Sequence, residues 1–579
     1  MGGHRSGERC HQECALHHDD GGFVARAPRT AFGTMLGAGM RGYLAPRIGL
    51  LSDERHWSRN SAGIQRAQLR NLLVAASDTE FGRSHEFSKI ASLSNARILS
   101  AYRERVPIAD WYVYKDMISR MREGAERDVL WPGLVRDFAQ TSGTTAGDKY
   151  IPVSKEMLRS NFRASLDIFA HLARFGVPLT RLTSGKALFL GGSTDLSTSE
   201  KGVRTGDLSG IVTPLIRWPV SEVYLPGPEV ALMSHWPSKI EAMARACVDQ
   251  DVRMVCGMCS WALVLFERMM ELARERGRRA ETLRDIWPNF MAFVHGGVKY
   301  APFDPRVRKA WSGSSEGADV PTRLELYPAS EGFLAIQDRR GDPGLRLLVD
   351  LGNFYEFVPL EEIGSANPRA FAADEVERGV RYVVVMTTCA GLWRYVLGDV
   401  VEFDSVPSGL EGVGGEGFGP ARLRIVGRHK HFINAFGENL IVEHIETAVA
   451  AAARASGVVV GEFTAAPVYP EDENGVKRRA GLELAVEVEG GASEGAMAAF
   501  GRAFDESLKA QNVDYTTKLP DGLGMGEPTI TALRVGAFHE WMKSRGKLGG
   551  QHKCPRCTNG REILEAVVGM DRAGVGAGT

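Results

Sequence analysis

Residues 139–154 read "AQTSGTTAGDKYIPVS", a run that crowds Thr141, Ser142, Gly143, Thr144, Thr145, Gly147 and Lys149 together. It is too polar for a core, and glycine, serine and threonine all lower helix propensity. Two readings remain. One is a plain turn. The other is a loop around a phosphate: small residues let backbone N–H groups close on the anion, hydroxyls add donors and a lysine adds charge. The run departs from the Walker pattern, because three residues separate Gly143 from Gly147 and Lys149 does not directly follow a glycine. On composition the two readings are level, and the rest of the chain has to separate them.

At 579 residues the chain is long enough for a large domain and a smaller one. Its 44% hydrophobic and 24% charged content are globular values. Lys+Arg 70 against Asp+Glu 71 leaves a net charge of -1, which excludes nucleic-acid or membrane binding driven by overall charge. No apolar run reaches the ~18 residues of a membrane span. "MGGHRSGERCHQECALHHDD" lacks the apolar core of a secretory signal. These features predict a soluble, cytoplasmic chain, and its eight cysteines do not suggest a disulfide scaffold.

Residues 1–45 read as a flexible lead, with scattered glycines and no sustained apolar period. Patterned sequence begins near "AGIQRAQLRNLLVAAS", where Ile64, Leu69, Leu72 and Leu73 recur at helical spacing. Further helices are expected at "SKEMLRSNFRASLDIFAHLARFG", with Ser154 as its N-cap, and at "CSWALVLFERMMELARERG". Short apolar runs such as "KALFLGG", "FMAFVHGG", "RLELYPASEGFLAIQD", "GVRYVVVMTT" and "DVVEFD" read as buried strands. Helices interleaved with such strands indicate an α/β architecture. A glycine-rich insertion at 409–419 precedes a compact α+β unit, containing the strand pair "EFTAAPVY" and "GLELAVEVE" with Asn474-Gly475 between them. The expected domains are therefore 46–425 and 426–570, with a flexible tail at 571–579.

Three further stretches bear on chemistry. "LYPASEG" ends a strand with Tyr327, Ser330 and Glu331, and a carboxylate there is a hard oxygen ligand suited to Mg2+. "LWRYVLGDVVEF" places Asp399 after a glycine, suited to accept from two ribose hydroxyls. "VGRHKHFINAFGENL" puts Arg428 and Lys430 at the domain junction. Taken singly, Glu331 fits a surface carboxylate, Asp399 a turn residue and the basic pair a solvated face.

In this order, however, "TSGTTAGDK", "YPASE", "WRYVLGDV" and the terminal "SRGKLGGQHKCPRC" resemble the adenylate-forming superfamily. They are most similar to its Gretchen Hagen three branch, the auxin-responsive promoter family of acyl acid amido synthetases. The resemblance spans roughly residues 50–567, with support from "VPIADWYVYKDMISRM", "VHGGVKYAPFDPRVRKAWSG", "NFYEFVPLEE" and "TTCAGLWRY". It implies a firefly luciferase-like fold, with a large N-terminal α/β domain and a smaller mobile α+β C-terminal domain. ATP would be bound by Thr141, Ser142, Gly143, Thr144, Thr145, Gly296, Gly297, Tyr327, Ser330, Asp399 and Arg428. Lys149, Glu331 and Lys553 would be catalytic, with Mg2+ on Glu331. The partners it implies are a carboxylic acid and an amino acid or other amine, and the expected state is a monomer.

This chain departs from that family at several positions. Trp393 stands for the usual tyrosine of the third motif, Val396 for a frequent arginine, and Asn439 for a frequent lysine. Which of Arg428, Lys430 and Asn439 contacts nucleotide therefore stays open. Lys547, in "RGKL", mimics the wider superfamily's catalytic lysine, but "QHKCPR" favours Lys553. Cys256-x-x-Cys259 and Cys554-x-x-Cys557 have the form of zinc half-sites, yet almost three hundred residues separate them; buried cysteines are the simpler reading. His295 is read either as lining an acyl pocket or as a buried structural histidine. An acid–thiol ligase that uses coenzyme A and a non-catalytic adenylate-binding protein are the alternatives to an amido synthetase.

Overall fold

The computed structural model describes residues 27–142, 148–191, 196–233, 235–297, 300–408, 418–429, 432–433, 440–468, 471–473, 476–478, 481–512, 515, 526–545, 554–558 and 560–576. Among the described residues no helix is long and apolar enough to cross a membrane.

An eleven-stranded sheet organises the large domain. From edge to edge its strands are Phe354–Pro359, Arg381–Thr387, Tyr395–Ser405, Arg422–Arg428, Leu345–Leu347, Gly332–Gln337, Arg323–Ala329, Ala292–Gly296, Val252–Gly257, Lys186–Phe189 and Tyr224–Leu225. The half ending at Tyr224–Leu225 is parallel, as continuous apolar runs with intervening helices require. The other half is antiparallel. "RLELYPASEGFLAIQD" folds as two strands rather than one, a tight antiparallel hairpin that turns at Ser330-Glu331. Arg323–Ala329 is thus the junction between the two regimes, parallel to Ala292–Gly296 on one side and antiparallel to Gly332–Gln337 on the other.

The sheet is strongly curled. Tyr327 and Asp399 lie on strands with three others between them, about 19 Å apart in a flat sheet at ~4.8 Å per step. Their side chains meet at 2.6 Å.

The helices form where the pattern predicts. Asp53 caps Glu54–Ala75 by accepting from the His56 N–H at 2.9 Å, and Leu69, Leu72 and Leu73 are buried. Ser154 caps Lys155–Arg174 through the Met157 N–H at 2.9 Å. Cys259–Glu275 packs against the parallel half through Leu263, Phe266 and Met269. A smaller sheet carries the hairpin of Asp137–Ser142 with Asp148–Val153, whose register sets Thr141 opposite Lys149.

The boundaries differ from expectation at three places. Residues 27–45 of the expected lead are helical, within Ala27–Ser52. That helix is held by Arg47, which is ion-paired to Asp167 and to Asp350 at 2.6 Å each. Its glycines hid it, because they interrupt the apolar period while allowing close packing on the segment around Thr183. The strand Arg422–Arg428 belongs to the large sheet, so the small unit begins after it. Residues 571–576 continue the helix Glu562–Gly576 instead of forming a tail.

The small domain is a three-stranded sheet of Val460–Val468, Gly481–Val488 and Thr529–Leu533, covered by Val442–Ser456 and Glu494–Gln511. The first two strands pair antiparallel as expected; Asn474-Gly475 lies outside the described residues.

Candidate functional site

A cleft of about 2170 Å³ runs from the small domain across the carboxyl ends of the parallel strands into the large domain. Ligands of open α/β sheets bind at such ends, where the backbone turns away and leaves a crevice. Lys149, Gly296, Gly297, Tyr327, Ser330, Glu331, Asp399 and Arg428 all line it. The chain therefore gathers in one place residues that are up to 279 positions apart in sequence.

The centre is a polar chain of buried Tyr327 and Asp399 with a half-exposed Arg428. The Tyr327 hydroxyl donates to Asp399 Oδ2 at 2.6 Å, and Arg428 Nε donates to Asp399 Oδ1 at 2.6 Å. Asp399 and Arg428 are also register partners on adjacent strands, which fixes the ion pair. Burial, followed by the charge of Asp399, holds the Tyr327 phenol well above its ordinary range, so it stays a donor. Asp399 first and burial second act on Arg428, with the net effect of raising it.

Glu331 sits in the hairpin turn beside this pair. Burial raises its carboxyl, while the charges of Arg428 and Lys149 oppose the shift. Tyr395 packs its hydroxyl against Glu331 and is raised chiefly by its own burial. Sequence reasoning passed over Tyr395; its place between Arg394 and the Gly398-Asp399 pair was the available signal.

Other motif residues have structural work. Trp393 is fully buried against Phe87, Phe81 and Trp131. Arg394, at φ 46°, turns inward to pair with Glu356 at 2.8 Å and donates to the Val106 carbonyl at 2.8 Å. A Cβ on Gly296 would stand 2.5 Å from the Leu326 carbonyl oxygen, so the close approach of the neighbouring strand requires glycine there. Gly297 has φ 80°.

His295 is buried, stacked on Tyr300 at 4.6 Å, and lines the cleft. Burial pushes its imidazole down to about 3, so it is neutral, and its Nδ1 has no hydrogen-bond partner among the described residues. It is thus a buried histidine that also lines the cleft.

The small domain supplies the opposite wall. Cys554, Pro555 and Arg556 line the cleft, with Arg556 paired to Glu462 at 2.7 Å and lying over the Phe463 ring. Cys554 and Cys557 are buried, and among the described residues no three His, Cys, Asp or Glu side chains group to hold a metal. Thr141 and Ser142 are described through their backbone only. Gly143, Thr144, Thr145, Lys430, Asn439, Lys547 and Lys553 lie outside the described residues, Lys553 immediately before the cleft-lining Cys554.

The donor set fits a nucleotide with magnesium. Each Asp399 oxygen keeps a lone pair beyond its bond to Tyr327 or Arg428, enough to accept from ribose hydroxyls. Magnesium is commonly held by one or two carboxylates together with substrate phosphates, which a single Glu331 beside Lys149 suits.

Models of the GH3 family's N-terminal, central and C-terminal domains match residues 52–217, 346–409 and 443–562, together more than half of the chain. The probable indole-3-acetic acid-amido synthetase GH3.1 of Arabidopsis thaliana is 22% identical over 588 residues, covering 88% of this chain and 91% of its own. The indole-3-acetic acid-amido synthetase GH3.8 of Oryza sativa subsp. indica is 26% identical over 385 residues, and this chain spans 53% of its length. The solved structure of AtGH3.15 acyl acid amido synthetase in complex with 2,4-DB superposes with a TM-score of 0.71 at 18% identity, covering 92% of this chain and 96% of that one. A 2-hydroxyisobutyryl-CoA ligase in the postadenylation state superposes at 0.52 and 15% identity, covering 90% and 96%. The fold is that of adenylate-forming enzymes.

Proposed function

The chain belongs to the GH3 family, and from that premise we propose that it is an ATP-dependent acyl acid amido synthetase. It activates a carboxylic acid as the acyl-adenylate and passes the acyl group to an amino acid or another amine. The observation that carries this reading is the convergence of Lys149, Tyr327, Glu331, Asp399 and Arg428 on one cleft with a small-domain wall.

A carboxylate is a poor electrophile, so activation has to come first. A carboxylate oxygen forms a bond to the α-phosphorus while the bond to the bridging oxygen breaks, and pyrophosphate leaves with its electron pair. The amine nitrogen then bonds to the acyl carbon, AMP departs with the former carboxylate oxygen, and the amine proton passes to solvent. Negative charge builds on the phosphoryl oxygens in the first step. Lys149, which lines the cleft, would offset that charge.

Mg2+ held by Glu331 would neutralise phosphate charge when bound. Asp399 acts by position: fixed by Tyr327 and Arg428, it would hold the ribose so that the α-phosphate faces the acid. Lys553, adjacent to the cleft-lining Cys554, would reach the reacting groups from the small domain. Movement of that domain about the segment after Arg428 would shield the adenylate from water and then admit the amine.

The test is pyrophosphate release from ATP across aryl, indolyl and fatty carboxylates, followed by mass analysis with pooled amino acids or with coenzyme A. An amide product is expected. A thioester without amide establishes the acid–thiol ligase instead, and no pyrophosphate with any acid overturns the synthetase reading.

A further inference from the structure

The helix Ala27–Ser52 lies almost wholly outside the regions that the family models match, the first of which begins at residue 52. It is nevertheless built into the cavity. Leu36 and Met40, four residues apart on one helix face, line it. Phe32, one turn before them, has its ring 6.2 Å from Trp218.

The neighbouring face of the same helix is locked down. A Cβ on Gly33 would stand 2.1 Å from the Thr183 carbonyl oxygen, and Thr183 Oγ1 donates to the Gly33 carbonyl at 2.6 Å. The helix is thus a fixed wall.

Phe162 and Phe169 of the Lys155–Arg174 helix, Trp218, and Val264 of the Cys259–Glu275 helix line the same cavity with apolar side chains. Phe162 is 63% exposed and Trp218 71%. Large apolar side chains left open along a cavity wall are surface that an apolar ligand would cover. The whole space of about 2170 Å³ is also more than twice the ~1,000 Å³ upper end of ordinary small-molecule pockets. A nucleotide leaves much of it unfilled.

We infer that the N-terminal helix closes the acyl chamber and selects a carboxylic acid with an extended apolar tail, one that runs from the reaction centre to Leu36, Met40 and Trp218. This rests on the synthetase reading above.

The test uses the full chain, ATP and a homologous series of straight-chain fatty acids, with indole-3-acetate as a compact comparison; pyrophosphate release gives kcat/KM. Each methylene that enters the chamber is expected to raise kcat/KM about fourfold, until the tail meets the helix and the rise stops. Met40→Trp is expected to move that break to a shorter acid and to depress the longest acids at least tenfold more than the shortest. Met40→Ala should move it to a longer one, and Met40→Leu should restore the wild-type break; a purely structural role would lower all acids alike. A flat series, a compact acid turned over as well as the longest, or a break unmoved by both Met40 variants overturns the inference while leaving the synthetase intact. Absence of pyrophosphate with every acid defeats the synthetase reading itself.

Discussion

Tyr327→Phe removes one oxygen from the middle of the cleft and leaves the ring packing in place. The lost bond is the 2.6 Å contact to Asp399 Oδ2, with both residues buried. A hydrogen bond to a charged acceptor contributes about 1.5–3 kcal/mol, roughly ten- to hundredfold in an equilibrium constant. Asp399 keeps Arg428 at 2.6 Å, so its carboxylate is loosened rather than stranded. The expected coupling between Tyr327→Phe and Asp399→Asn in a double-mutant cycle is therefore about 1.5–3 kcal/mol. It is read from urea unfolding of the large domain and, separately, from ATP affinity by calorimetry. In the affinity cycle, either single variant should weaken ATP and the second should add little. Additivity within about 0.5 kcal/mol in both measurements would refute the idea that the curled sheet uses Tyr327 to aim Asp399.

Glu331→Gln is expected to abolish magnesium-dependent pyrophosphate release yet raise the melting temperature at neutral pH. Burial raises the folded-state carboxyl, so stability falls as pH climbs through that raised value, and the advantage of glutamine should vanish below the usual carboxylate range. Arg394→Met should cost about 3–5 kcal/mol by leaving Glu356 buried with, among the described residues, Arg103 alone as ion-pair partner, while ATP affinity of the folded fraction stays unchanged. Full stability with weakened ATP binding would instead place Arg394 at the nucleotide site.

The sequence carried the elements whose cause is local. Ser154 and Asp53 cap helices because a short oxygen-bearing side chain reaches an N–H three residues on, and that geometry needs nothing from elsewhere in the chain. Apolar runs gave the parallel strands for the same reason. The motifs "YPASE" and "LGDV" pointed to Tyr327, Glu331 and Asp399 one at a time, the two carboxylates each with a bland alternative.

Their meeting was decided by the curl of the sheet, which brings strands four places apart into contact, and no stretch of sequence encodes that curl alone. Tertiary structure also turned Arg394 inward, put Tyr395 against Glu331, and made a chamber wall of a glycine-broken segment that reads as a loose lead. The physical reason is common to all three. Caps and periodicity depend on neighbours in the chain, whereas burial, charge pairing and cavity shape depend on neighbours in space.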